Sequence, residues 1–170
     1  MPTKDRPRWS EGDFTRWYCK CLKRVGAVCI PLVGNAYAGA GWPDRYIAHK
    51  SFRGFVEFKS NAGRLRSEQL ITCLSLQQCG VVVFIGRIKD DGFFLLQRLN
   101  RSGVGEILSS LDIRGLVGRK DEKVLKAGRL FLDQLVRCAK LGRKVELEGN
   151  GNSEVAQVDV ESKDLLNRNS

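Results

Sequence analysis

Apolar residues recur between positions 10 and 25 at the spacing of one helix face. Phe14, Trp17, Tyr18, Cys21, Leu22 and Val25 stand at i, i+3, i+4, i+7, i+8 and i+11, which predicts an amphipathic helix. Ser10 occupies the N-cap position with Asp13 three residues on, and Gly26 ends the pattern. Glu11 is out of character: it lies three residues before Phe14 and seven before Tyr18, so a carboxylate falls on or near the inward face.

The pattern then shortens to strand lengths. Residues 27–33 form an apolar run broken by Pro31, which suits an edge strand. Residues 34–41 are a loop of small residues, residues 42–48 enter a second strand, and residues 49–54 read as a polar turn. Residues 55–59 alternate strictly, so Phe55, Glu57 and Lys59 share one face and Val56 and Phe58 the other. A loop rich in Gly and Arg follows. Ser67 is read as the cap of a helix to about Gln78, with Leu70, Cys73, Leu74 and Gln77 along one side, and Gly80 ends it. Residues 81–85 are continuously apolar, as in a strand buried on both faces, and residues 93–96 return beside it through a turn at 89–92. Residues 100–120 carry no clear period. Residues 121–141 look helical, and beyond Gly142 the chain is polar and acidic, the composition of a disordered tail. Helix, three strands, helix and two strands describe an α/β fold with a mixed central sheet flanked by helices. The expected organisation is a basic arm (1–9), a core (10–99), an extension with a helix (100–144) and a tail (145–170).

Charge narrows the partner. With 170 residues the chain is long enough for one sizeable core. Its 29 Lys and Arg against 19 Asp and Glu leave a net charge of +10, although the last 26 residues hold six carboxylates against two bases. The body is therefore more basic than the whole, which points to a polyanion, above all nucleic acid. No apolar run approaches the ~20 residues that cross a bilayer, and no apolar segment backs the first residues as in a secretory signal. A cytoplasmic, nucleoid-associated protein without membrane contact is expected. Six cysteines in apolar surroundings, one His and no C-x-x-C spacing favour reduced, mostly buried thiols over a zinc site.

Glu57 and Lys59 on one face of a central strand are costly to bury as structural residues alone, and Glu-x-Lys by itself more often marks a solvated strand rim. What precedes them changes that balance. Gly41-Trp42-Pro43-Asp44 is a constrained turn that sets a carboxylate at a strand start, 13 residues before Glu57, enough for a strand, a turn and a return. Two carboxylates converging there repel unless a cation sits between them, and hard oxygen ligands select Mg²⁺ or Mn²⁺. Lys59 is then a fixed positive charge beside the ion.

Asp44 followed by Glu57-x-Lys59 is the signature of the PD-(D/E)xK nuclease superfamily, with Pro43 supplying its proline. The wider layout resembles a stand-alone VRR-NUC domain of the phage and bacterial type, related to Holliday junction resolvases. That layout comprises a helix bearing Glu11, Gly39-x-Gly41-x-Pro43-Asp44, the strand with Glu57 and Lys59, Ser67-x-Gln69 at a helix start, and an apolar strand after Gly80. The likeness covers about residues 8–88. It implies a restriction-endonuclease-like core and a metal-dependent endonuclease that hydrolyses DNA phosphodiesters, branched or junction DNA among its candidate substrates, in replication, recombination or repair. It further implies that Asp44, Glu57 and the main-chain carbonyl of Phe58 ligate the metal, that Glu11 completes the shell through water, that Lys59 is the catalytic lysine, and that Gln69 contacts the lysine, the water or a phosphate. Arg45 departs from the apolar residue usual after the aspartate.

Arg64 and Arg66, on the loop after Lys59, are placed to contact phosphates. Lys4, Arg6 and Arg8 form an arm that either tracks a nucleic-acid backbone or stays solvated. Trp42 and Tyr37 either stack on a base or pack in the core, and His49 reads as a bystander in a turn. Symmetric cutting of a junction calls for a homodimer, for which no heptad or interface stripe shows. The alternative is a catalytically silent nucleic-acid-binding module on a nuclease scaffold.

Overall fold

Ser10 caps the first helix as its position predicts: its hydroxyl oxygen accepts the Asp13 N–H at 3.1 Å, and α1 spans Glu11–Arg24. The computed structural model describes residues 9–32 and 41–149. After α1 come β1 (Val28–Pro31), β2 (Arg45–His49), β3 (Phe52–Lys59), α2 (Ser67–Gln78), β4 (Val83–Ile88), β5 (Phe93–Leu99), β6 (Gly105–Asp112) and α3 (Asp121–Gly149). The strands form one mixed sheet in the order β1-β2-β3-β4-β5-β6. Only β3 and β4 run parallel, joined by the α2 crossover; every other neighbour is antiparallel.

The alternation in β3 divides the core. Val56 and Phe58 face α1 and α3, where Phe14, Tyr18, Phe94 and Phe131 close an aromatic cluster. Tyr18 and Phe131 rings lie 4.4 Å apart and Phe14 and Phe94 rings 5.0 Å. The opposite face carries Cys73 of α2 with Val83, Ile85 and Leu99 as a smaller apolar cluster. The sheet is thus sandwiched between α1 with α3 on one side and α2 on the other. Gly128 permits the close approach of α3 to α1, since a Cβ there would collide with the main-chain carbonyl oxygen of Cys21. All six cysteines are free; five are buried and Cys79 is exposed.

Four boundaries differ from the expectation. The polar turn shrinks to two residues, because His49 ends β2 opposite Phe52, whose ring is buried against Phe84. The N-cap of α2 is Arg66 rather than Ser67. Residues 105–112, expected to be irregular, form β6 on β5 through a bulge at Leu96 and Gln97. The main-chain ladder holds this outer strand, and its mostly exposed side chains leave no apolar period to read. The last helix runs to Gly149, past both Leu141 and the expected start of the tail at 145. Residues 1–8, 33–40 and 150–170, which include Arg6, Arg8, Tyr37, Gly39 and most of the tail, lie outside the described residues. No helix among the described residues is long and apolar enough to cross a membrane.

Candidate active site

The C-terminal end of β3 outruns its partner β2. Register pairs Arg45 with Val56, so Glu57, Phe58 and Lys59 extend past the first residue of β2. The Phe58 N–H that would continue the ladder is taken by the Asp44 carboxylate instead, at 2.8 Å. In an extended strand the N–H and C=O of one residue point to the same edge. The Phe58 carbonyl therefore opens towards Asp44. On the other side β3 remains paired, Glu57 with Ile85 and Lys59 with Arg87 of β4.

Glu57 is fully buried, and its carboxylate is nevertheless well supplied with donors. Oε1 lies 2.6 Å from Lys59 Nζ and accepts the Gln69 amide at 2.5 Å, while Oε2 accepts the main-chain N–H of Asp44 at 3.0 Å. Burial nonetheless pushes the Glu57 carboxyl up from 4.5 to about 7; the Lys59 hydrogen bond works against that rise and the nearby Asp44 charge adds to it. Cys73, one helical turn beyond Gln69, is pushed up to about 12, first by burial and then by the charge of Glu57. These shifts place Asp44, Glu57, Lys59 and Cys73 in one electrostatic neighbourhood.

Each of these side chains is positioned by its own element. The Gln69 oxygen accepts the Arg66 N–H at 3.1 Å at the start of α2, which aims its amide at Glu57. Asp44 is held by the turn at Gly41, whose φ of +99° disfavours other residues and where a Cβ would collide with the main-chain oxygen of Glu68. Glu11 does face inward: its carboxylate accepts the Ser60 N–H at 3.1 Å, just past Lys59. That bond ties the first turn of α1 to the end of β3.

One residue escaped the sequence reading. Arg87 donates to the carbonyls of Ser60 at 2.8 Å, Gly63 at 2.6 Å and Asn61 at 3.3 Å, and Gln97 holds its Nε at 3.2 Å. It braces the loop that follows Lys59. Burial lowers its pKa, and the Glu11 charge opposes that shift. The signal was a lone charge after a continuous apolar run, misread because the strand was ended at Ile85.

The remaining expectations separate. Arg64 and Arg66 are both exposed on the loop after Lys59, on the way from β3 to α2. Trp42 is exposed and packs its ring 5.9 Å from Phe55. His49 contacts Ser51 at the hairpin, away from the carboxylates. As a cation site, Asp44, Glu57 and the Phe58 carbonyl offer hard oxygen from β3 and from the turn that leads into β2. Among the described residues no group of three or more His, Cys, Asp or Glu side chains is arranged to hold a metal. Any ion here would thus use two carboxylates and main-chain or water oxygen. Compared with protein-family models, with curated proteins and with solved structures, the chain finds no match in any of the three.

Proposed function

We propose that the chain is a Mg²⁺- or Mn²⁺-dependent endonuclease that hydrolyses DNA phosphodiester bonds at the Asp44, Glu57 and Lys59 site, in the manner of the PD-(D/E)xK enzymes it resembles. The observation that carries the reading is the buried Glu57, bonded to Lys59 and Gln69, at a strand end where Asp44 takes the place of a sheet partner. A charged pair in that position gives the fold little that apolar side chains would not give as well. It is what phosphoryl chemistry requires.

Asp44, Glu57 and the Phe58 carbonyl would hold the cation. The ion would polarise a phosphoryl oxygen and acidify a bound water. Lys59 supplies a fixed ammonium that orients the attacking water and offsets charge gathering on the phosphoryl oxygens. Gln69 fixes the rotamer of Glu57, so the carboxylate is aimed before substrate arrives. Arg64 and Arg66, exposed beside the site, are placed to contact phosphates and set the register of the strand.

The test is incubation of the purified chain with linear, nicked and four-way DNA in Mg²⁺, Mn²⁺ or EDTA. Cleavage is expected with either metal and none in EDTA. Asp44→Asn, Glu57→Gln and Lys59→Ala should each lower the rate at least about 100-fold, the scale of losing one charge-stabilising group. Undiminished cleavage in all three variants rejects the site. Metal-independent DNA binding without turnover would leave the chain a binding module.

A further inference from the structure

The outward face of α1 is basic and stands apart from the proposed catalytic centre. Arg16, Lys20 and Lys23 follow at helical spacing, and all three are exposed. Two cavities meet along this row and share Arg16 and Lys20. The first, about 380 Å³, opens between α1 and the β1–β2 edge, and Lys23 and Arg45 also line it. The second, about 540 Å³, lies between the start of α1 and the segment before α3, with Arg119 on its far side. Trp9 and Trp17 line this second cavity, their rings 5.4 Å apart and inclined by 31°. Both volumes fall within the ~300–1,000 Å³ usual for ligand clefts.

Five cations line the joined clefts, and the one carboxylate among them is already engaged. Asp13 pairs with Arg16 and accepts the Ser10 hydroxyl. Among the described residues Lys20, Lys23 and Arg119 form no ion pair. Such a concentration of one sign repels itself and attracts a polyanion. The indoles say which polyanion. Phosphates on a cationic track with bases laid against aromatic rings is how single strands are held, whereas a duplex hides its base faces and an acidic peptide has nothing to set on the indoles.

We infer that this face of α1 is a second nucleic-acid site, which takes a single-stranded segment with its phosphates along Arg16, Lys20, Lys23 and Arg45 and a base in the Trp9–Trp17 cleft. It lies on the α1 side of the sheet, whereas Glu57 and Lys59 face α2. Arg45, which lines the first cleft, directly follows Asp44 in the chain. The inference goes beyond the nuclease reading and does not need it: the cleft binds whether or not the carboxylates cleave.

Binding is measured in EDTA, with the full chain and a labelled oligothymidylate of ~15 nucleotides, by fluorescence anisotropy across a salt series. The wild type should bind, more weakly as salt rises. The double variant Lys20→Glu/Lys23→Glu, changed only at exposed positions, should bind about tenfold or more weakly. Its log–log salt slope should flatten by about 1.4, the share of two phosphate contacts on a single strand. Trp9→Ala should lose about fivefold or more on the oligomer and nothing on a blunt duplex of equal length. Lys50→Glu, a charge reversal at an exposed position on the β2–β3 turn, should bind the oligomer as the wild type does, which separates this site from a general loss of positive charge. Absence of binding, wild-type affinity in the charge-reversed chain, or competition by duplex or polyglutamate as strong as by the oligomer would each overturn the inference.

Discussion

Replacing Glu57 by glutamine removes a charge that folding buries completely, and the consequence depends on pH in a direction that can be worked out. In the folded metal-free chain the carboxyl is pushed up from 4.5 to about 7, chiefly by burial, with Lys59 resisting and Asp44 assisting. Between those two values the unfolded chain gives up the proton and the folded chain keeps it. The unfolded state is therefore favoured progressively as pH rises. The contribution is fully present below about pH 4.5 and is lost as pH climbs through about 7. At about 1.4 kcal/mol per tenfold change in proton activity, the span from 4.5 to about 7 amounts to about 3 kcal/mol.

Glutamine imitates the protonated acid and cannot titrate. Glu57→Gln should therefore gain on the wild type by about 3 kcal/mol between pH 5 and pH 8, on top of a pH-independent cost of setting its amide against three donors. For a chain of this size that gain is a relative rise in Tm of roughly 6–12 °C. Thermal and urea unfolding followed by circular dichroism in EDTA, from pH 5 to pH 8, gives the comparison. A variant less stable than the wild type by the same amount at every pH would refute the reasoning, because the ionised acid would then be an asset to the fold. Adding Mg²⁺ or Mn²⁺ at pH 8 should close the gap by stabilising the wild type alone, by about 2.7 kcal/mol at a hundredfold excess over Kd.

Three further outcomes follow from the packing. Gly128→Ala drives a methyl group into the Cys21 carbonyl and should cost about 1–3 kcal/mol, a Tm loss of roughly 2–12 °C, read by thermal melting. Gly41→Ala combines a φ of +99° with contact on the Glu68 main chain, whereas Gly26→Ala meets open space at a φ of +88°. The first should therefore lose more stability than the second by about 1 kcal/mol or more, and only the first should impair the Asp44 site in the cleavage assay. Arg87→Met removes the donors that brace three loop carbonyls. Amide exchange should speed up over residues 60–65 while β5 and α1 stay protected; unchanged exchange there would show that the loop holds itself.

Where a side chain has one buried face to satisfy, the sequence was readable. The stripe from Phe14 to Val25 could only be a helix lying on apolar partners, and Pro31 belongs on the outer strand where β1 lies. The strict alternation around Glu57 placed Lys59 beside it, as the 2.6 Å pair shows. Legibility failed where main-chain bonding rather than burial fixes the structure. β6 is held by its ladder to β5, and its exposed Glu106 and Ile107 read as loop. The Gln69 link to Glu57 depends on the loop that seats the first turn of α2 over β3, and the Arg87 brace on β4 returning beside β3 after α2.

That crossover also explains why the acid and the ammonium sit where they do. Only β3 and β4 are parallel, and ligand sites in open α/β sheets gather at the carboxyl ends of such strands, where loops diverge and main-chain groups lose their sheet partners. Here the divergence is sharpened on the β2 side, because β2 begins at Arg45 and leaves the Phe58 N–H to a side chain. Had Asp44 been apolar, that N–H would be stranded at a partly buried strand end, at a cost of about 1–3 kcal/mol. Asp44 thus serves the fold through one oxygen, Oδ2, and keeps the other for a second partner. Glu57 differs, since three donors, the Lys59 ammonium among them, surround its oxygens and burial still raises it to about 7. The divalent cation that we propose would join Asp44 and Glu57 and oppose the rise that burial imposes on Glu57.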